Sequence, residues 1–318
     1  ETPADVSGKI KVLPKKVGNY NITWTSLSSQ IDVDTSEVFF DSEAKKAYVT
    51  AEIYDENAQY PLTVKKIFEL TVRKAASDKE LDEFKISSLG KITNQDYDDI
   101  RYDLNLPIVD GITWKSSNTS LITNDGKIVD DAVVTEETTV TITASTANNV
   151  TKDYVLKVKP RTGKETLAKS NAPVEISLGE VLGAKVSSDV AVSFTYTDNN
   201  TAGKVNVLDE NGSILVSMVA DEAGIHFDYL GSDYKKYDVA SANVEIIVMP
   251  DVDKAAIFVD GKIVADYVSL KNNADYVAKV WGEETSSVQD IAEISFITGA
   301  RWFASQLAAG MKAIEEGA

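Results

Sequence analysis

The sequence predicts an all-β chain built from three β-sandwich modules, closed by a short C-terminal helix. Three observations carry that prediction. A pattern of short strands occurs twice in the first half. A different set of alternating strands, punctuated by Asn-Gly and Asp-Gly turns, runs on from Val174. From Gly299 the apolar residues change to helical spacing. At 318 residues the chain is long enough for two or three separate cores.

The duplication is read first. Leu13-Pro14 precedes Ile22-Thr23-Trp24-Thr25-Ser26, and Ile67-Phe68-Glu69-Leu70-Thr71-Val72 closes the first copy. Leu106-Pro107, Ile112-Thr113-Trp114-Lys115-Ser116 and Asp153-Tyr154-Val155-Leu156-Lys157-Val158 repeat the order, with a small loop difference between. Strands such as Ala47-Tyr48-Val49-Thr50-Ala51 and Thr139-Val140-Thr141-Ile142-Thr143 alternate as half-buried β-structure does. Asn124-Asp125-Gly126 gives a tight turn, because Asp-Gly accepts positive φ. One tryptophan per copy, at the same place in its strand, points to packing for Trp24 and Trp114. Residues 75–84 read as a short helical or irregular connector with Ser77 or Asp78 as cap. Lys159-Pro160-Arg161-Thr162-Gly163 reads as a break. The expected modules are therefore 1–76, 77–160 and 161–298, with a helical tail at 299–318. The first copy starts close to residue 6, so further chain is expected before it.

Composition removes several function classes. The net charge of −18, from 50 acidic and 32 basic residues, opposes nucleic acid and anionic membranes as partners. There is no cysteine, hence no disulfide, thiolate metal site or cysteine nucleophile. A single histidine, His226, cannot build a multi-histidine zinc site, and no carboxylate pair stands out for hydrolysis. The chain is expected to be non-catalytic, with no catalytic residue. No apolar run reaches the length of a membrane span. The opening Glu-Thr-Pro-Ala-Asp carries no signal pattern, which predicts either a cleaved signal or an excised fragment.

Leu-Pro, then Ile-Thr-Trp followed by serines, then a closing Lys-x-Phe/Tyr-x-Leu-x-Val strand resembles the atypical immunoglobulin-like modules of secreted bacterial proteins. The resemblance covers roughly residues 1–160. It implies an extracellular or cell-surface setting and a spacer role beside other domains of the parent chain, often a glycoside hydrolase. It brings no catalytic residues.

The third module has its own vocabulary. Val190-Ala191-Val192-Ser193-Phe194-Thr195-Tyr196 and Lys204-Val205-Asn206-Val207-Leu208 alternate, and Asp209-Glu210-Asn211-Gly212 turns into Ser213-Ile214-Leu215-Val216. Val244-Glu245-Ile246-Ile247-Val248 followed by the hairpin Phe258-Val259-Asp260-Gly261-Lys262-Ile263-Val264 resembles the laminin-G and concanavalin-like sandwich superfamily, a jelly roll. That resemblance implies a carbohydrate ligand and, near it, a calcium ion.

Sugar recognition needs an aromatic face beside amides and carboxylates. Trp281, and the group Tyr229, Tyr234 and Tyr237 beside Asp233, are the candidate ligand-binding residues. For each, packing at a strand end or sandwich edge is the competing reading. Asp198-Asn199-Asn200 and Asp251-x-Asp253 offer oxygens to a structural calcium ion, but the same residue types favour plain turns. His226, between Ile225 and Phe227, is expected on the opposite face from both. In the tail, Trp302, Phe303, Leu307, Met311 and Ile314 share one helical face, while Glu315 and Glu316 oppose membrane insertion. Two roles remain: an accessory region presenting a glycan-binding sandwich, or a structural or adhesive stalk with a protein partner.

Overall fold

The structure is a computed structural model of the chain. It describes residues 6, 10, 13–18, 20–54, 63–168, 174–177, 189–197, 203–221, 224–230, 237–273, 277, 279–282 and 288–299. The expected C-terminal helix, along with Tyr234, Asp233, Asp198 and Asn199, lies outside the described residues. The all-β expectation holds: antiparallel sheets dominate, and one short α-helix is present among the described residues. No helix among them is long and apolar enough to cross a membrane.

The chain groups into two compact units. One comprises Glu1–Lys91, Pro107–Lys115 and Thr143–Tyr154; the other comprises Ile92–Leu106, Ser116–Ile142 and Val155–Ala318.

In the first unit, β1 (Lys16–Val17), β2 (Tyr20–Ser26), β3 (Lys45–Tyr54) and β4 (Thr63–Val72) form one antiparallel sheet in sequence order. Ala47, Val49 and Ala51 of β3 are buried at every second position, and Ala47 and Val49 meet Val6, Ile31, Val38, Phe40 and Val72. Trp24 packs against that core, 5.9 Å from the ring of Phe68, and its Nε1 donates to the Pro14 carbonyl at 2.8 Å. Helix α1 (Asp78–Ser87) follows, N-capped by Ser77, whose hydroxyl accepts from the Glu80 amide. The Glu80 carboxylate reaches back to the Ala76 amide and pairs with both Nη atoms of Arg73, which holds its pKa down at about 2. Ile86 and Leu89 bury against Ala144 and Trp114.

Strands β5 (Ile112–Ser116), β6 (Thr138–Thr146) and β7 (Thr151–Val158) make a three-stranded sheet. The Trp114 ring stands 5.8 Å from Tyr154, and its Nε1 donates to the Pro107 carbonyl at 3.1 Å. The serines after each tryptophan form matching turns: Ser26 Oγ accepts from the Ser28 amide, and Ser116 Oγ from the Asn118 amide.

The second unit holds the sandwich. Its strands are β8 (Arg161–Ala168), β9 (Val174–Ser177), β10 (Asp189–Thr197), β11 (Gly203–Leu208), β12 (Ile214–Asp221), β13 (Gly224–Asp228), β14 (Ser241–Met249), β15 (Lys254–Val259), β16 (Lys262–Ser269), β17 (Lys279–Gly282) and β18 (Val288–Gly299). They form a six-stranded sheet, ordered β16-β15-β14-β10-β18-β8, and a five-stranded sheet, ordered β13-β12-β11-β17-β9. Val190, Val192 and Phe194, with Val244, Ile246 and Val248, face Val205, Val207, Met218, Ile225 and Phe227 across one core.

Strands β10, β14 and β15 carry buried apolar residues on both faces of the six-stranded sheet. Ala191, Ile247, Met249, Ala256 and Phe258 point away from the core and are covered by Tyr102. This is why β14 and β15 read as continuous apolar runs rather than alternating ones. Tyr102 meets the Phe258 ring edge-on at 5.9 Å, and its hydroxyl donates to Asp266 Oδ1 at 2.8 Å. Buried Gln95 shapes the covering segment: its Oε1 accepts from the Arg101 and Tyr102 amides, while its Nε2 donates to Thr93 Oγ1 and the Tyr102 carbonyl.

Candidate functional site

In the five-stranded sheet, β11, β12 and β13 turn polar residues away from the core, and the register continues their row onto β17 and β9. Val205 and Val207 of β11 are core residues, so Asn206 between them faces the other way, and so does its register partner Ser217 of β12. Asp228 of β13 stands opposite Ser217. On the other side of β11, Trp281 of β17 stands opposite Asn206, and Glu175 of β9 opposite Trp281. The register thus aligns Asp228, Ser217, Asn206, Trp281 and Glu175 across all five strands. Asn206 and Ser217 are 8% and 3% exposed although they lie off the core face, and Asn206 Oδ1 has no hydrogen-bond partner. A buried acceptor left unmatched is costly. One row further along the same face, His226 stands opposite Val219; its Nε2 lies 3.5 Å from Asp228 Oδ2, and its buried Nδ1 has no partner.

The tyrosines separate by role. The Tyr229 ring is partly exposed, at positive φ, with the Lys271 ammonium 5.9 Å from its centroid. Tyr237 packs on the sandwich core, 6.4 Å from Phe227. The Tyr237 backbone pairs with Ile225, and it passes so close to Gly224 that a Cβ there would stand 1.8 Å from the Tyr237 carbonyl oxygen. Gly224, at φ +99°, is required at that crossing.

A pocket of about 450 Å³ lies at one end of the sandwich, lined by Asp209, Glu210, Asn211, Asp251, Asp253 and Asn273 among others. Asp209 Oδ1 accepts from the Asn211 and Ser213 amides, fixing the turn. Both oxygens of Asp251 are taken by Arg101, Oδ1 from Nη1 at 2.6 Å and Oδ2 from Nη2 at 2.9 Å. Among the described residues no group of three or more histidine or carboxylate side chains is placed to hold a metal ion.

Arg101 is the centre of an ion network that nothing local in the sequence announces. It also donates to Asp99 and to Asp189 Oδ1 at 3.0 Å, and Lys159 Nζ reaches Asp99 at 2.9 Å. Burial opposes the charge on Arg101, but the Asp251, Asp189 and Asp99 carboxylates outweigh it and raise its pKa. Burial also works against Asp99, yet Arg101 and Lys159 hold its pKa low. Asp189 is different: burial pushes it up to about 7, with Arg101 only partly opposing and Asp251 and Asp99 adding repulsion.

The sequence singled out Trp281 but passed over Asn206 and Ser217. An amide in the middle of Val205-Asn206-Val207 was the available signal, since an alternating strand displays such a residue on its outer face. Of the candidate calcium ligands, Asp251 and Asp253 come together on the pocket wall.

The class of protein follows: an all-β chain in which a three-stranded module precedes a two-sheet sandwich. A family model for the atrophied bacterial Ig domain matches residues 85–161. No curated protein sequence matches the chain. Similar solved structures include Caenorhabditis elegans galectin LEC-6, at 14% identity over 42% of this chain and 94% of that chain, TM-score 0.28. They also include SGBP-B of the Bacteroides ovatus mixed-linkage glucan utilization locus in complex with a mixed-linkage heptasaccharide, at 8% identity over 87% and 88%, TM-score 0.24. Trypanosoma rangeli sialidase in complex with sialic acid is similar at 11% identity over 89% and 43%, TM-score 0.29. TM-scores of this size do not establish a shared fold.

Proposed function

We propose that the chain is a non-catalytic accessory region of a secreted or cell-surface bacterial protein, in which immunoglobulin-like modules at 1–76 and 77–160 carry a glycan-binding sandwich at 161–298. The reading attaches it to a polysaccharide-degrading parent. The observation that supports it is the row Asp228, Ser217, Asn206, Trp281 and Glu175. Amides, hydroxyls and carboxylates match the donors and acceptors of a sugar, and tryptophan is the residue type that stacks on a sugar's apolar face. The unmatched Asn206 Oδ1 suits a ligand hydroxyl.

Affinity electrophoresis through gels containing soluble polysaccharides tests this. Saturable retardation on at least one polymer is expected, weakened about tenfold or more by Trp281→Ala and by Asn206→Ala. No retardation across a broad panel, with a protein partner recovered by pull-down instead, would replace this reading with that of an adhesive stalk.

A further inference from the structure

Another concavity lies against the six-stranded sheet. A cavity of about 200 Å³ is formed by residues 101–103, 127, 128, 130 and 161 together with Glu245 and Ile247 of β14 and Phe258 of β15. Arg161 lines it and is 5% exposed, yet its Nε and Nη1 have no hydrogen-bond partner. The main chain of Arg161 is fixed by paired hydrogen bonds with Val134, so the guanidinium is held there by the backbone. A guanidinium out of water with unmatched donors carries the full desolvation cost, and such sites are completed by a bound acceptor. Asp130, Asp189 and Asp103 act on it only through their field.

The charges on the wall select the ligand. Of the cations, Arg101 is committed to Asp99, Asp189 and Asp251, which leaves Arg161 and Lys127. Three carboxyl groups face them: Asp103, Asp130 and Glu245. An anion entering here meets more acids than available cations, in a chain of net charge −18. A neutral group bearing adjacent hydroxyls meets no such penalty: its oxygens accept from Arg161 while its O–H groups donate to the carboxylates. The volume suits one sugar ring rather than an extended oligomer.

We infer that the Arg161 cavity is a second ligand site, which takes a single neutral sugar unit or an equivalent vicinal polyol and uses residues from the immunoglobulin-like segment as well as the sandwich. This goes beyond the sheet-face reading and does not depend on it.

The test is saturation-transfer NMR on the full chain carrying Trp281→Ala, so that the sheet-face site is silenced. The probes are methyl glucoside, methyl galactoside, methyl mannoside and methyl xyloside, with methyl glucuronide and acetate as charged controls. Saturable transfer to a neutral probe is expected, with Kd raised about tenfold or more by Arg161→Gln. Asp130→Asn, an exposed change that spares the buried charge, is expected to raise Kd about threefold and covers the case in which Arg161→Gln does not fold. Three results would each overturn the inference: no transfer to any neutral probe, which leaves only water in the cavity; transfer indifferent to both variants; or preference for glucuronide or acetate. Retardation of the wild-type chain on polysaccharide that Trp281→Ala abolishes, with no transfer to any neutral probe, would sink this site and leave the sheet-face reading standing.

Discussion

The indole of Trp114 is tied to Pro107 by a hydrogen bond from Nε1 to the proline carbonyl, and Trp24 makes the same bond to Pro14. In both segments the Leu-Pro and Ile-Thr-Trp elements are thus two halves of one contact. Proline cannot donate, so its carbonyl is the polar group left to satisfy, and the tryptophan does so while its ring packs on Phe68 or Tyr154.

Trp114→Phe keeps most of the packing and removes the donor. Urea unfolding is expected to show a loss of about 1 kcal/mol. Trp24→Phe should cost less, because that bond is exposed to solvent.

Arg101→Met leaves Asp189, which is 5% exposed, without its counter-charge. Removing one partner of a buried ion pair costs about 3–5 kcal/mol. Adding Asp189→Asn to the same chain should recover part of that loss in urea unfolding, and additive losses would show that the two groups do not couple.

Asp189 also sets a pH dependence. Its folded pKa of about 7 lies above the unfolded carboxylate value, so the folded state holds the extra proton. Its contribution to stability is complete below the unfolded pKa and is lost as pH rises through about 7. Asp99 and Glu80, whose pKa values are lowered, work the other way, losing their contribution as pH falls through their folded values. Asp189→Asn should therefore gain on the wild type between pH 5 and pH 8, by a few degrees in Tm. A difference in Tm that is flat across that range would refute the assignment.

Asp251 is engaged by Arg101 through both oxygens, which leaves Asp253 without a committed carboxylate beside it for a divalent ion. Millimolar calcium is expected to leave Tm unchanged. A rise in Tm that Asp251→Asn abolishes would show that the ion displaces the guanidinium.

Gly224→Ala is expected to be strongly destabilising, since its methyl would collide with the Tyr237 carbonyl. Faster hydrogen exchange at the Ile225 and Tyr237 amides, which bond across this crossing, is the local readout.

What the sequence made legible was local. The Ile-Thr-Trp strands and the alternation in β3, β6 and β10 depend on near neighbours and could be read directly, while the cap of α1 was narrowed to Ser77 or Asp78 and the structure uses Ser77. Trp281 was singled out because tryptophan in a late strand stands out, but its place opposite Asn206 is a matter of register between strands far apart in the chain. Arg101 and Asp189 are likewise distant in sequence, and each looks like an ordinary surface charge until folding brings them to 3.0 Å. The run Ile246-Ile247-Val248-Met249 did carry a signal. An unbroken apolar stretch demands cover on both sides of the sheet, and Tyr102 is that cover.

That cover has a consequence for synthesis and for anyone cutting the gene. Residues 92–106 leave the ribosome before any strand of the sandwich they protect, so the lid is made first and waits for its sheet. A fragment that begins at residue 161 would display Ile247, Met249 and Phe258 to solvent as a bare, sticky edge to the next molecule.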